Sequence, residues 1–272
     1  GYARAYGLNF LSDVTRGWLR FIHNNCHYTL APSRYTMTQL RAGGYKRLRR
    51  WARGVHYRHF NPARRSQAWR ERLLNGRDPD SLLCIYVGRL ANEKHVDLLL
   101  DVARTPGVAL TVIGDGALRD ELETVFAGTS THFTGYLFGD DLANAYASAD
   151  AFFFTGTEET FGQVVQEALA SGLPAVIIDR GGITDLVVDG ENGFICPFDS
   201  QAFAAAARRL RDDDALRRRM AANARQMVER NSWEAIMGQL EGHYTAAVDL
   251  NERFQRVFPP HGLLPSLLHW GR

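Results

Sequence analysis

The feature that most narrows the possible folds is a set of short segments that are apolar at nearly every position. Leu82–Val87, 109–113, Ala151–Phe154 and Ala175–Ile178 show no strict alternation of polar and apolar residues. A strand wetted on one face alternates, whereas a strand covered on both faces does not. Between these runs lie segments with helical spacing at 95–104, 117–126 and 140–148. Another helix begins at Gly162, with Val164, Val165, Ala168 and Leu169 along one stripe. Residues 131–134 add a further strand. Strands and helices in alternation predict an α/β fold, a parallel sheet with helices on both faces. The turn cluster 75–80, NGRDPD, precedes this pattern and marks a domain boundary.

Composition sets outer limits. The chain has 272 residues, 45% of them hydrophobic, which exceeds one average domain and can bury a large core. No run of 18 apolar residues occurs, so no spanning helix is expected, and no signal peptide is visible at Gly1. Cys26, Cys84 and Cys196 are scattered, with no metal-binding spacing, and read as reduced thiols of a cytoplasmic protein. Charge is unevenly spread. Residues 1–77 hold 16 Lys and Arg against two acids, a net of +14, which leaves −12 for the remainder of a chain of net +2. A basic segment suggests an anionic partner, either membrane headgroups at the inner face, nucleic acid or an anionic substrate. The plain alternative is a set of solvated arginines.

Before the boundary, a helix is expected from Ser12 to about His27, with Val14, Trp18, Leu19 and Ile22 on a core-facing stripe. A strand at 28–31 follows, then a helix from Pro32-Ser33 to Gly43-Gly44. An Arg-rich strand at 48–55 comes next, then a helix from Asn61-Pro62 to about Leu74. Beyond Asp199 the chain reads as helical to about Val248. The tail from Phe258, with three prolines, reads as a surface-packed end.

In an open α/β sheet, ligands bind at the carboxyl ends of the strands. The loops there hold Gly88-Arg89 with Lys94, Gly114-Asp115-Gly116, Gly135-Tyr136, Thr155 to Gly162, and Arg180-Gly181-Gly182-Ile183. Glycines admit close backbone approach, and Arg with Lys can neutralise two phosphates. Glu159 stands ahead of a helix and Glu167 inside it, eight positions on, which is about 12 Å if helical throughout. That distance is too great for two groups acting on one bond, but it suits opposite ends of one long ligand. Arg89 and Lys94 are expected two strands away. Each item has a bland reading: a tight turn for Gly114-Asp115-Gly116, surface charges for Lys94 and Glu167. Together they describe a diphosphate-bearing ligand with hydroxyl groups at its ends. No GxGxxG follows the first strand, so this is no dinucleotide fingerprint.

The stretches GRLANEKHVDLLL, VIGDGALRDELE, FTGYLFGDDLANAYASADAFF, EETFGQVVQEALASGLPAV and GGITDLVVDGENGFI, in this order, resemble the donor half of the retaining group 1 (GT4) glycosyltransferases of GT-B fold. HYTLAPS and RRWARGVHYRHFNP resemble that family's segment leading into the hinge. Some wording is nearest to sulfoquinovosyl and other glycolipid-forming members.

The resemblance implies a GT-B-type Rossmann-like donor domain at 78–230, preceded at 1–77 by the end of a second Rossmann-like domain. Residues 231–272 would form a helix and tail crossing back to the first domain. Arg89 and Lys94 would hold the donor pyrophosphate, and Glu159 the sugar hydroxyls, as the catalytic group. Gly88, Gly114, Phe161, Gly162, Gln163, Gly181 and Gly182 would approach phosphate or sugar, Glu167 would hold the ribose, and Tyr136-Leu137 would line the base.

No cofactor and no metal are implied, because the nucleotide sugar, UDP-sugar in this reading, is the substrate. The acceptor is a lipid or glycan, not nucleic acid. His56 replaces the Asp of the family's GVD, with effects expected at the hinge. The family's acceptor half is expected to be largely absent. The alternative reading is therefore a split or truncated nucleotide-sugar-binding module without transferase activity of its own.

Overall fold

In the computed structural model, residues 9–257 are described apart from 130 and 230, and side chains from residue 13 onward. The expectations for Gly1 to Leu8, for a cap by Ser12 and for the tail from Phe258 fall outside them. Contacts gather the described chain into two compact units, one of residues 9–31, 37–51 and 237–257, the other of Pro32–Thr36 and Ala52–Ile236. Compactness thus divides the chain at positions other than 77/78 and 230/231.

The smaller unit holds α1 (Asn9–Asn25), β1 (Thr29–Ala31), most of α2 (Arg34–Ala42) and β2 (Leu48–Arg50), with β1 and β2 paired in parallel. The strand expected over 48–55 is three residues long. Trp51 N–H still reaches the Ala31 carbonyl at 2.9 Å, but the chain then leaves the sheet. The apolar stripe of α1 is not buried. Val14 is 52% and Trp18 63% exposed, and Phe21 beside it is 67% exposed.

The larger unit holds α3 (Gln67–Leu74), β3 (Leu82–Val87), α4 (Leu100–Ala103), β4 (Val108–Ile113), α5 (Arg119–Val125), β5 (Thr131–Gly135) and α6 (Gly139–Ser148). After these come β6 (Ala151–Phe154), α7 (Gln163–Ala170), β7 (Ala175–Ile178), β8 (Gly193–Cys196), α8 (Ser200–Asp212) and α9 (Asp214–Glu229). The chain then enters α10 (Trp233–Val257). Among the described residues the sheet is six-stranded and parallel, in the order β5-β4-β3-β6-β7-β8. Every residue of β3, β4, β6 and β7 is buried, as the unbroken apolar runs predict. Two sets of helices provide the cover, α4 with α8 and α3 with α6, α7 and α9.

Three elements differ from the sequence reading. The helix expected over 95–104 is a 3-10 turn, Val96–Leu99, that runs directly into the single turn α4, and a separate 3-10 turn, Asn92–Lys94, precedes it. His95 lies between them in the left-handed region, φ 47°, which no continuous helix tolerates. The helix expected from 61 divides into a 3-10 turn at Pro62–Arg64 and α3, because the Asn61 carboxamide caps the first turn at Ala63 N–H, 2.9 Å, and Ser66 is extended. Strand β8 follows a Gly-Glu-Asn turn, in a stretch where the sequence marks no strand. Its Gly193 lies so close to the Ala175 carbonyl that no Cβ fits.

Beyond β5 the chain doubles back, so that β6 lies against β3 on the side opposite β4. This reversal is the topological switch point of the sheet, where ligands of doubly wound folds bind. The β3–β6 register covers only Cys84↔Ala151 and Ile85↔Phe152, so the pairing ends before the carboxyl ends of the two strands.

Candidate functional site

The loops after β3 and β6 lie against each other at the switch point. They are neighbours, not two strands apart, because the switch point puts β6 beside β3. Lys94 Nζ forms an ion pair with Glu159 Oε1, and both side chains are mostly covered, 16% and 24% exposed. Lys94 Nζ also lies 5.5 Å from the centre of the Phe154 ring, itself stacked on Tyr86 at 5.8 Å. Arg89 is far more open, 66% exposed, and pairs with Glu93 one turn along. The backbone N–H of Glu93 is the leading cause holding its carboxyl below the usual range, followed by its contact with Arg89. Both cations singled out in the sequence are thus on the loop after β3, each engaged by a carboxylate.

Glycines set the floor. Gly114, φ 141°, lies against the Gly88 carbonyl so tightly that a Cβ there has no room, and Gly116 lies as close to the Leu90 carbonyl. The loops after β3 and β4 are therefore in backbone contact. Gly182 donates its N–H to the Glu159 carbonyl at 2.6 Å and has no room for a Cβ against the Thr160 carbonyl. A Cβ on Gly181 would lie 2.7 Å from the Glu159 carbonyl. The loop after β7 thus buttresses the backbone that carries Glu159. Gly162, φ 70°, is the residue preceding α7, with no side chain capping the helix. Free amides of a helix start favour an anion there.

Glu167 occupies the second turn of α7. It is not at the end of a 12 Å helical span from Glu159, because Glu159 lies in a loop ahead of Gly162. Burial pushes its carboxyl up to about 7, against the pull of Tyr146, Gln163 and the Arg53 charge. The Tyr146 hydroxyl, on a fully buried residue of α6, can donate to Glu167 Oε2 at 3.4 Å or to the Val164 carbonyl at 3.2 Å. Arg53 also places its guanidinium 6.0 Å from the Phe161 ring, while its carbonyl accepts from Gln166 at 3.1 Å. Tyr146, Arg53 and Glu93 carry no signal in the sequence that marks them as site residues. Arg53 lies more than a hundred positions from Glu167, and only the fold joins them.

On the far side, Tyr136 is 54% exposed, with its hydroxyl on the Asp115 carbonyl at 3.0 Å and its ring stacked on Phe138 at 5.7 Å. Leu137 between them is half-buried. His56, at the position of the altered hinge residue, lies 6.1 Å from the Trp233 ring. Another cleft, lined by Arg65, Asp150, Ser171, Asp214 and Arg217, gathers residues at the amino ends of β6 and β7. Its arginines are engaged, Arg65 with Asp150 at 2.8 Å and Arg217 with Asp214, so it reads as structural. Among the described residues, no three His, Cys, Asp or Glu side chains gather as a metal site.

The strand ends thus carry Arg89, Lys94 and Glu159 near the switch point and the buried carboxyl of Glu167 on α7. The family model "Glycosyl transferases group 1" matches residues 68–227. A GDP-mannose-dependent alpha-mannosyltransferase of Mycobacterium tuberculosis is 41% identical over 250 residues, covering 90% of this chain and 64% of that protein. Sulfoquinovosyl transferase SQD2 of Arabidopsis thaliana is 37% identical over 283 residues, covering 96% of this chain and 55% of that one. The chain therefore spans less than two thirds of the length of these relatives. Among solved structures, Anabaena Alr3699/HepE in complex with UDP and glucose matches with a TM-score of 0.74 at 21% identity, over 86% of this chain and 67% of that one. Sucrose-phosphate synthase from Thermosynechococcus elongatus matches at 0.74 with 27% identity, over 86% and 62%.

Proposed function

The chain belongs to the group 1 glycosyl transferases, and on that premise we propose that it binds a nucleotide sugar for transfer, with retention of configuration, to an acceptor. The observation that carries this reading is the meeting of Lys94 and Glu159 at the switch point, with Arg89 on the same loop. Charge develops on the phosphate as the glycosidic bond breaks, and fixed cations stabilise it. In this reading Arg89 and Lys94 hold the diphosphate, Glu159 the sugar hydroxyls and Glu167 the ribose. Gly88, Gly114, Phe161, Gly162, Gln163, Gly181 and Gly182 frame phosphate and sugar, and Tyr136 with Leu137 lines the base. No side chain in this arrangement is needed as a nucleophile, and attack from the leaving-group side fits the retained configuration.

The base is open between uracil and guanine, since relatives of both names are found: a GDP-mannose-dependent enzyme and structures holding UDP. Residues 78–230 are proposed as the donor module, 1–77 as the end of the acceptor side and 231–272 as the return to it. Clustering of 237–257 with 9–31 supports the return. The acceptor is proposed as a lipid, supported by the exposed Trp18 and Phe21 beside Arg16 and Arg20 on α1. No described helix is long and apolar enough to cross a membrane, so contact would be peripheral.

A melting-temperature screen of UDP- and GDP-sugars tests the core of the proposal, because a ligand selective for the folded state raises apparent stability. At least one should raise the midpoint, and Arg89→Ala should erase the shift. No response to any nucleotide sugar overturns it.

A further inference from the structure

Thr155 is the first residue beyond β6 and is fully buried. Its hydroxyl donates to the Lys94 carbonyl at 2.6 Å, a short bond across sixty-one positions of sequence. One further bond ties the same two loops, Thr157 N–H to the Glu93 carbonyl at 3.2 Å. The adjoining Gly156 has a steric reason to lack a side chain. A Cβ there would come within 2.8 Å of the Phe154 ring and 3.2 Å of Lys94 Cδ. Lys94 therefore runs in a slot, with Phe154 below, Gly156 alongside and its carbonyl fastened by Thr155. His95 directly after it is held at φ 47°, a conformation costly for a residue with a Cβ that persists only where neighbours over-determine it. Its neighbours do so here. The His95 N–H bonds the Asn92 carbonyl at 3.2 Å, and its ring meets Phe198 edge-on at 4.9 Å.

We propose that Thr155 and Gly156 are positioning residues for Lys94, fixing this cation against the loop that carries Glu159 so that the two loops grip a donor as one piece. Neither touches the ligand in this arrangement. Their effect passes through the lysine. The inference rests on the nucleotide-sugar reading of the site, since it is the diphosphate that Lys94 would hold.

Titration calorimetry with UDP and with GDP tests it on the wild-type chain and on Thr155→Val, Thr155→Ser, Lys94→Met and the Thr155→Val/Lys94→Met double variant. Valine keeps the shape of threonine, removes the hydroxyl and leaves a buried carbonyl unpaired. Thr155→Val should weaken whichever diphosphate the wild type binds by about tenfold. Serine restores the donor and should stay within about twofold of wild type. In the Lys94→Met background the valine should add no further loss, since coupled residues are non-additive. Losses that add, or a serine variant as weak as the valine one, would mean a generally structural role and overturn the inference. Should Thr155→Val fail to fold, Gly156→Ala replaces it, with the same expected weakening and the same absence of effect beside Lys94→Met. A wild-type chain that binds neither diphosphate removes the reading of the site itself. Binding that is unaffected by the variants removes only the positioning role.

Discussion

Glu167 is a carboxyl whose surroundings favour its neutral form. Burial raises it to about 7, while the Tyr146 hydroxyl, Gln163 and Arg53 pull the other way. A carboxyl raised in the folded state binds its proton there more tightly than in the unfolded chain, so stability falls as pH rises from the ordinary carboxylate range towards 7. Above that value the wild type carries the full penalty. Glu167→Gln has no charge to bury. Its melting temperature should therefore exceed the wild type's at pH 8 and match it near pH 4.5. Parallel curves across that range would refute the burial account. Glu159 differs, because it is paired. Removing it frees Lys94 for phosphate, so Glu159→Ala should abolish transfer while affinity for a nucleoside diphosphate holds or rises. A fall in that affinity would sink its assignment to the sugar end. Both carboxylates stand out in the sequence by spacing, but the burial of Glu167 and the pairing of Glu159 with Lys94 come from the fold.

The loops are built by two kinds of glycine, and the difference can be measured. Gly128 has φ 75° with open space where a Cβ would stand, so its cost is conformational alone. Gly128→Ala should lower stability by about 1 kcal/mol. Gly182 is not in the left-handed region. Its constraint is the Thr160 carbonyl, with Ser33 Oγ also only 2.8 Å from where a Cβ would be. Gly182→Ala must push the loop after β7 away from the backbone of Glu159, and should cost about 2–3 kcal/mol and most of the nucleotide-sugar binding. Equal denaturant midpoints for the two variants would contradict this distinction. Strands β3, β4, β6 and β7 are legible in the sequence because two-sided burial leaves an unbroken apolar run. The helix expected over 95–104 is present as a helical run from Val96 to Ala103, but its start after the left-handed His95 and its 3-10 first turn are backbone features that periodicity does not report. Strand β8 escapes a sequence reading because four residues starting with glycine carry too little pattern.

At the scale of the whole molecule the basic bias of residues 1–77 and the exposed aromatics of α1 point the same way. Anionic vesicles should bind the chain, with binding that grows with anionic lipid and weakens with salt, as screening over about 10 Å at 0.1 M requires. Trp18→Ala should reduce it, and binding indifferent to salt and lipid charge would exclude this contact. The sequence by itself determined the class of fold, the alternation of elements and the glycines of the strand-end loops, because core burial and backbone approach are written locally as apolar runs and glycines. Only the tertiary structure decided that β6 lies against β3. Strand order is fixed by which crossover the packed helices permit, and that is a property of the assembled sheet. From that one adjacency follow the Lys94–Glu159 pair and the bond from Thr155 to the Lys94 carbonyl, while packing of the segment after β2 on α7 places Arg53 near Glu167. Each joins residues from sixty to more than a hundred positions apart, beyond the reach of any local pattern.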